Sequence, residues 1–195
     1  MKTDDVLREF EDAGALLKGH FILSSGLRSD TYLNKSVVGT DPARTTRLCR
    51  ALAQRAKAAF GERIDAVVSP AMGAITFGYE TARQLDTPFM FVERVAGQFK
   101  LRRGFALPGR KRVLVVEDIV STGLSARECI DAVRRCGAQV LGLACLIDRS
   151  MGKAEIGAPM LPLASISVET YDPDRLPPHL REIPPVKPGS RGLSQ

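Results

Sequence analysis

The sequence contains few of the residues that build metal clusters, and it lacks a long apolar run. Its four cysteines form no C-x-x-C pair and only two histidines could join them, so a zinc cluster has too few ligands. No segment approaches the roughly 18 consecutive apolar residues of a membrane span, and the start of the chain is too acidic for a signal peptide. The composition therefore predicts a cytoplasmic protein with no membrane partner and with free, mostly buried thiols.

Aromatic residues are also scarce, at 6% of the chain, although the formal net charge is +6. A basic protein can bind nucleic acid or a polyanionic small molecule. Positive side chains, Arg110 among them, crowd residues 94–112, but only Phe99 and Phe105 lie between them. A platform that stacks single-stranded nucleic acid usually needs more aromatic rings, so we expect no nucleic-acid partner.

Predicted strands and helices alternate through the middle of the chain, which has 195 residues and can bury the core of one domain. The alternation predicts βαβ units, and so an α/β fold with an open, mainly parallel twisted sheet flanked by helices. The expected helices cover residues 42–60, 75–85 and 126–136, and the expected strands cover residues 64–68, 89–92, 113–116 and 140–147.

The two ends of the chain fall outside this alternation. Residues 1–40 predict an amphipathic helix over 6–17 and then short extended pieces around a turn at Ser25-Gly26, which together would cap the sheet. The tail, residues 171–195, carries six prolines, which argue against any regular element and predict an extended path on the surface. The α/β core is therefore expected over residues 41–170.

The most informative segment is VLVVEDIVSTGLS, residues 113–125. It begins as a strand buried on both faces, so Glu117 and Asp118 should emerge at its carboxyl end, where open α/β sheets bind ligands. The small, hydroxyl-bearing residues that follow can turn tightly into a helix whose first N–H groups attract anions. Because carboxylates accept hydrogen bonds from ribose hydroxyls, the segment predicts a site for a phosphorylated ribose. A structural alternative is a capping box formed by Ser125 and Glu128.

Three further segments are expected near the same edge of the sheet. Residues 69–74, SPAMGA, have small side chains that would let the backbone approach a ligand, unless they form an ordinary turn. Residues 93–108 are a long, basic connection, which predicts either a lid or a solvated β-hairpin. Arg149 presents the planar fork that binds carboxylates, or it pairs with Asp148 or Glu117.

Together these segments resemble the type I phosphoribosyltransferases, and the resemblance to the orotate branch of that family covers nearly the whole chain. VLVVEDIVSTGLS resembles the family's motif for phosphoribosyl pyrophosphate. The segments GHFILSSGLRSDTYLNK, SPAMGAITFGYETARQL and ERVAGQFKLRRGF are similar to the branch's hood, pyrophosphate loop and mobile catalytic loop. The resemblance therefore implies that residues 1–40 are a small N-terminal hood over the core.

The resemblance implies a role for each matched residue. Glu117 and Asp118 would bind the ribose hydroxyls, and the loop from Ser121 to Ser125 would hold the 5-phosphate. The donor site as a whole would comprise Met72, Gly73, Arg94, Glu117, Asp118, Ile119, Val120, Ser121, Thr122, Gly123, Leu124 and Ser125. Catalysis would fall to Lys100, Arg102, Arg103 and Asp118. Orotate would contact Tyr32, Leu33, Ser121 and Arg149, the last through its carboxylate.

The implied reaction is transfer of the 5-phosphoribosyl group from phosphoribosyl pyrophosphate to orotate, in the synthesis of pyrimidine nucleotides. Mg²⁺ would be bound mainly through the donor and water, so no dedicated protein ligands are expected. A homodimer is implied, in which the mobile loop reaches the neighbouring subunit's site. The chain departs from the family pattern at Gln98, where many members carry a catalytic lysine, and at Leu124, where glycine is frequent. The alternatives are transfer to another base, or a non-catalytic regulator of the same fold that binds nucleic acid.

Overall fold

The computed structural model describes residues 1–23, 25–108 and 111–188; Arg110, noted above for its charge, lies outside the described residues. In chain order the elements are α1 (Thr3–Asp12), β1 (Leu16–Ile22), β2 (Arg28–Leu33), α2 (Lys35–Val38), α3 (Pro42–Phe60), β3 (Ala66–Pro70), α4 (Ile75–Leu85), β4 (Phe89–Val95), β5 (Gln98–Leu101), β6 (Arg112–Val120), α5 (Leu124–Arg135), β7 (Gln139–Asp148), β8 (Met160–Ser165) and α6 (Pro178–Arg181). Across these described ranges, none of the helices is both long and apolar enough to cross a membrane.

A six-stranded sheet in the order β5-β4-β3-β6-β7-β8 forms the centre of the fold. Its strands are parallel except at β4 and β5, which pair as an antiparallel hairpin. From β3 the chain passes to β4 on one side of β3, and it later returns to β6 on the other side. Ligands of open α/β sheets bind at such a reversal, outside the carboxyl ends of the strands. The sheet order therefore predicts a site at the ends of β3 and β6.

Alternate residues of the central strands supply two cores, one on each face of the sheet. Val67 and Leu114 pack with α1, α3 and α4, whereas Val68 and Val115 pack with α5. This burial on both faces explains the nearly continuous apolar composition of the strands. The mainly parallel sheet flanked by helices is thus confirmed.

The helices α3 and α4 begin and end at the predicted residues. At the start of α3, Asp41 accepts hydrogen bonds from the backbone N–H groups of Ala43 at 2.8 Å and Arg44 at 3.2 Å, and Pro42 occupies the first turn. These are the residues that favour a helix start, because they satisfy or remove N–H groups that have no partner in the helix. Local chemistry therefore determines where α3 starts.

Other boundaries differ from prediction. The first helix ends at Asp12, and residues expected to continue it form β1, which pairs with β2 in a small hairpin around the predicted turn. The edge strand β8 was not predicted. The tail was expected to contain no regular element, which is wrong: it forms the short helix α6, with Pro178 in its first turn and Leu180 buried.

Candidate functional site

The acidic pair lies inside β6 rather than beyond its end. The prediction that it emerges at the carboxyl end was therefore wrong, because the strand continues to Val120. Ile119 and Val120 continue the strand, because both still pair with β7. Glu117 and Asp118 are consequently buried, with only 7% and 1% of their surfaces exposed. Two neighbouring carboxylates withdrawn from water are costly unless partners are supplied.

Glu117 responds to this environment by holding its proton. Burial, reinforced by repulsion from Asp118, raises the pKa of Glu117 to about 8, although Lys35 and the Ser125 hydroxyl oppose the rise. One of its oxygens, Oε2, has no hydrogen-bond partner among the described residues. A carboxyl group in this state is available to a ligand that can donate hydrogen bonds, as a ribose can.

Asp118 is instead paired with a lysine from the N-terminal segment. The ammonium Nζ of Lys35 lies 3.0 Å from Oδ1 and 2.9 Å from Oδ2 of Asp118. Gly73, from the segment after β3, closes the other side: a Cβ built on it would lie 2.5 Å from Asp118 Oδ2. Three chain segments, around residues 35, 73 and 118, therefore meet at this carboxylate.

A small cavity of about 220 Å³ covers the loop between β6 and α5. Every residue from 117 to 125 except Asp118 lines it, as do Lys35 and Ala126. Gly123 directly precedes α5 with a φ of 78°, and a Cβ there would approach Ile156 to 2.9 Å, so the position favours glycine. The size of the cavity and the nearby helix start suit a phosphate group.

The capping box of Ser125 and Glu128, the structural alternative to a ligand site, is absent from the described start of α5. The helix begins at Leu124, so Ser125 lies within its first turn, and the N-cap residue, Gly123, has no side chain to cap it. Glu128 instead forms an ion pair with Arg94 of β4. The N–H of Leu124 donates to Thr122 Oγ1 at 3.4 Å. Among the described residues no side chain accepts from the N–H groups of Ser125 and Ala126, which are left for another acceptor, as an anion site requires.

A larger cavity of about 620 Å³ adjoins the first and shares Lys35, Ile119 and Ser121 with it. All four residues predicted for the acceptor line this cavity: Tyr32, Leu33, Ser121 and Arg149. Its volume is typical of sites for small organic ligands. Two cavities of these sizes that share one wall can hold a sugar phosphate next to a ring.

Arg149 has no acidic partner among the ion pairs of the described residues, so the alternative of pairing with Asp148 or Glu117 was wrong. Asp148 accepts hydrogen bonds from the backbone N–H groups of Ser150 and Gly152, each at 2.7 Å, which shapes the turn after β7. Burial lowers the pKa of the Arg149 guanidinium, and its Nε has no hydrogen-bond partner in the described part of the chain. A bound carboxylate would supply what this side chain lacks.

The segment after β3 brings one predicted residue to the site and turns the other away. Gly73 lies against Asp118, as described above, whereas Met72 is 82% exposed and lines neither cavity. The peptide bond between Ala71 and Met72 is cis. The close approach expected of these small residues is therefore made by Gly73.

The first half of the basic connection, residues 93–101, forms a β-hairpin, which was one of the two structures predicted for it. Within the described chain its cations do not line the two cavities: Arg94 stacks 4.2 Å above the Phe99 ring, and Arg102 and Arg103 pair with Glu93 at 3.4 and 2.8 Å. Lys100 projects from β5 opposite Glu93 and is exposed. One copy of the chain does not bring these groups to the acidic pair.

Sequence reasoning missed several residues that line the cavities, among them Lys35, Val186 and Pro188. Val186 reaches the site because the tail pairs with β1, with its N–H donating to His20 O and its carbonyl accepting from Ile22 N, both at 2.8 Å. The sequence signal that could have identified Lys35 is its position as the last residue of the hood segment GHFILSSGLRSDTYLNK. The tail offered no such signal.

Comparison with known proteins agrees with this geometry. Residues 40–172 match the family model for the phosphoribosyl transferase domain, and the chain belongs to the phosphoribosyl transferase family. Its curated relatives place it among the orotate phosphoribosyltransferases: that of Methylorubrum populi is 59% identical over 99% of this chain and 98% of its own length. The orotate phosphoribosyltransferase of Maricaulis maris is 55% identical over 100% of both chains.

Solved structures share the fold at lower identity. The crystal structure of orotate phosphoribosyltransferase from Aeropyrum pernix has a TM-score of 0.72 and 25% identity, covering 83% of this chain and 93% of that one. An adenine phosphoribosyltransferase from Saccharomyces cerevisiae has a TM-score of 0.65 at 22% identity, over 82% and 99% of the two chains. The architecture is thus common to enzymes of different bases, and the acceptor must be argued from the site and the close relatives. The predicted resemblance to this family is confirmed.

Proposed function

We propose that the protein transfers the 5-phosphoribosyl group from phosphoribosyl pyrophosphate to orotate, giving orotidine 5-monophosphate and pyrophosphate in pyrimidine nucleotide synthesis. The observation that carries the proposal is the pair of adjoining cavities, which share Lys35, Ile119 and Ser121; Glu117 lines the smaller one, and Lys35 pairs with Asp118. The near full-length similarity to orotate phosphoribosyltransferases supports orotate as the acceptor.

The donor would lie across the shared wall. Its 5-phosphate occupies the smaller cavity, where the loop from Ser121 and the first N–H groups of α5 surround it. Its ribose hydroxyls contact Glu117 and Asp118 at the floor. This placement directs the C1 atom of the sugar toward the larger cavity, in which the acceptor would be held.

The acceptor would be oriented by charge and by shape. The Arg149 guanidinium pairs with the carboxylate of orotate. This carboxylate supplies the hydrogen-bond acceptor that the partly buried Nε lacks among the described residues. Tyr32 and Leu33 line the cavity and pack against the ring. Holding the ring nitrogen next to C1 provides most of the catalysis, since the nitrogen already carries much of the negative charge needed for attack.

Mg²⁺ would be held mainly through the donor and water. Within the described residues no group of three or more His, Cys, Asp or Glu side chains is placed to hold an ion. Glu117 and Asp118 are the carboxylates close enough to the donor to contribute, so donor oxygens and water would supply most ligands. When bound, the ion neutralises the charge that develops on the leaving pyrophosphate.

A homodimer would bring the basic hairpin to the site of the other subunit, with Arg94, Lys100, Arg102 and Arg103 facing the pyrophosphate. The hairpin adjoins an aromatic surface in which Tyr79, Phe89, Phe91 and Phe105 stack at ring distances of 6.0, 6.4 and 5.2 Å. Tyr79 is 60% exposed, as interface aromatics are before assembly. Light scattering should give twice the mass of one chain. We also place the enzyme in the cytoplasm, because its polyanionic donor cannot cross a bilayer unaided.

The decisive experiment offers the protein phosphoribosyl pyrophosphate, Mg²⁺ and a panel of pyrimidine and purine bases. Loss of orotate absorbance with release of pyrophosphate is expected, and the Asp118→Asn variant should bind the donor more weakly. Consumption of another base in place of orotate would contradict the assignment. Salt-dependent binding of nucleic acid without turnover of any base would support the regulator instead.

A further inference from the structure

Lys35 stands where the two cavities meet, and no role was predicted for it. It is the first residue of α2, and its side chain is 45% exposed in the cleft although its ammonium pairs with the buried Asp118. It lines both cavities, a property it shares with Ile119 and Ser121 alone among the described residues. A long side chain with these surroundings can move its charge without moving the backbone.

The charge balance of the site also points to Lys35. The small cavity is lined by ten described residues, and Lys35 is the only cation among them. A donor with a 5-phosphate and a pyrophosphate would bring several negative charges next to Asp118. Because the donor's phosphates and Asp118 repel each other, a cation that stays close to the donor and to Asp118 lowers the electrostatic energy of the complex.

Gly73 shows how near Lys35 comes to the segment after β3. A Cβ on Gly73 would lie 3.2 Å from Lys35 Nζ, so the ammonium fills the space that a side chain would take. The segment SPAMGA contains no basic residue of its own. Lys35 therefore supplies the positive charge at this loop.

We propose that Lys35 is a donor-binding residue that exchanges partners: its ammonium leaves Asp118 for the pyrophosphate of the bound donor, and Asp118 becomes free for the ribose hydroxyls. The inference rests on the proposed function, since it concerns the same donor. The N-terminal segment thereby senses an occupied donor site directly, through one side chain.

The test compares Lys35→Met, Lys35→Arg and, as a matched control, Lys18→Met. Lys18 is another cation of the N-terminal segment; its Nζ donates to Thr31 Oγ1 at 2.8 Å, and it lines neither cavity. We expect Lys35→Met to weaken donor binding by at least about tenfold, which is typical of a lost charged hydrogen bond. The KM for orotate should stay within about threefold, Lys35→Arg should retain part of the affinity, and Lys18→Met should match wild type.

A double-mutant cycle separates contact with the donor from neutralisation of Asp118. Donor binding is measured by calorimetry for Asp118→Asn alone and combined with Lys35→Met, a background that leaves no unpaired buried carboxylate. Persistence of the roughly tenfold loss supports a direct contact. If the loss disappears with Asp118→Asn, or if Lys35→Met binds like wild type, the inference is wrong. A wild-type protein that binds the donor but leaves orotate unchanged would contradict the proposed function alone, because the cycle measures donor binding.

Discussion

The raised pKa of Glu117 predicts that replacing this residue with glutamine stabilises the protein without ligand, increasingly so as the pH rises. Burial, then repulsion from Asp118, raises the pKa of Glu117 from 4.5 to about 8. Between these values the folded protein holds a proton that the unfolded chain has lost. The stability of wild type therefore falls with increasing pH across this window, by about 1.4 kcal/mol per pH unit.

Glutamine has nearly the shape of a protonated glutamate and does not ionise, so Glu117→Gln lacks this dependence. Relative to wild type, the variant should gain little at pH 5, about 3 kcal/mol at pH 7 and no more than about 5 kcal/mol above pH 8. Any cost of the amide group, for example an unsatisfied donor, is the same at every pH and does not change the slope. The gain in stability should accompany a loss of donor affinity.

The assay is urea unfolding of both proteins at pH 5 to 9 in the absence of donor, with free energies from linear extrapolation. Glu80→Gln is the control, because Glu80 is also buried but a hydrogen bond from Arg83 lowers its pKa. Its contribution is present above the ordinary pKa and lost only in acid, so its variant should differ from wild type by a constant amount over this range. A constant difference for Glu117→Gln as well would refute the reasoning.

Two further variants test the loop and the tail. Gly123→Ala should lower the free energy of unfolding in urea by about 2 to 4 kcal/mol and weaken donor binding, because a strained φ is combined with a clash against Ile156. The control is Gly137→Ala, at a φ of 79° with open space around it, which should lower that free energy by only about 1 kcal/mol. Val186→Asp should raise the KM for orotate at unchanged donor affinity, since a carboxylate in the acceptor cavity repels the substrate, whereas Ile183→Asp, outside the cavity, should not.

The sequence allowed the helices α3 and α4 and the chemistry of the 113–125 segment to be predicted, because each depends on neighbouring residues. Asp41 and Pro42 define a helix start by themselves, and strands buried on both faces have a recognisable composition. The same composition gave a wrong end for β6. An acidic pair normally marks the end of a buried strand, but here hydrogen bonding to β7 carries the strand through Glu117 and Asp118, and only the neighbouring strand could reveal it.

The residues that were missed share a physical reason. Lys35 acts on Asp118 across 83 positions of sequence, and Val186 reaches the acceptor cavity because the tail pairs with His20 and Ile22 of β1. Neither role follows from a periodic pattern or a local turn, since both depend on how distant segments fold over the sheet edge. The sheet thus supplies binding groups that its own strand ends make predictable. The segments that close over it supply the charge and the walls that adapt this site to one donor and one acceptor, and their contribution becomes visible only in three dimensions.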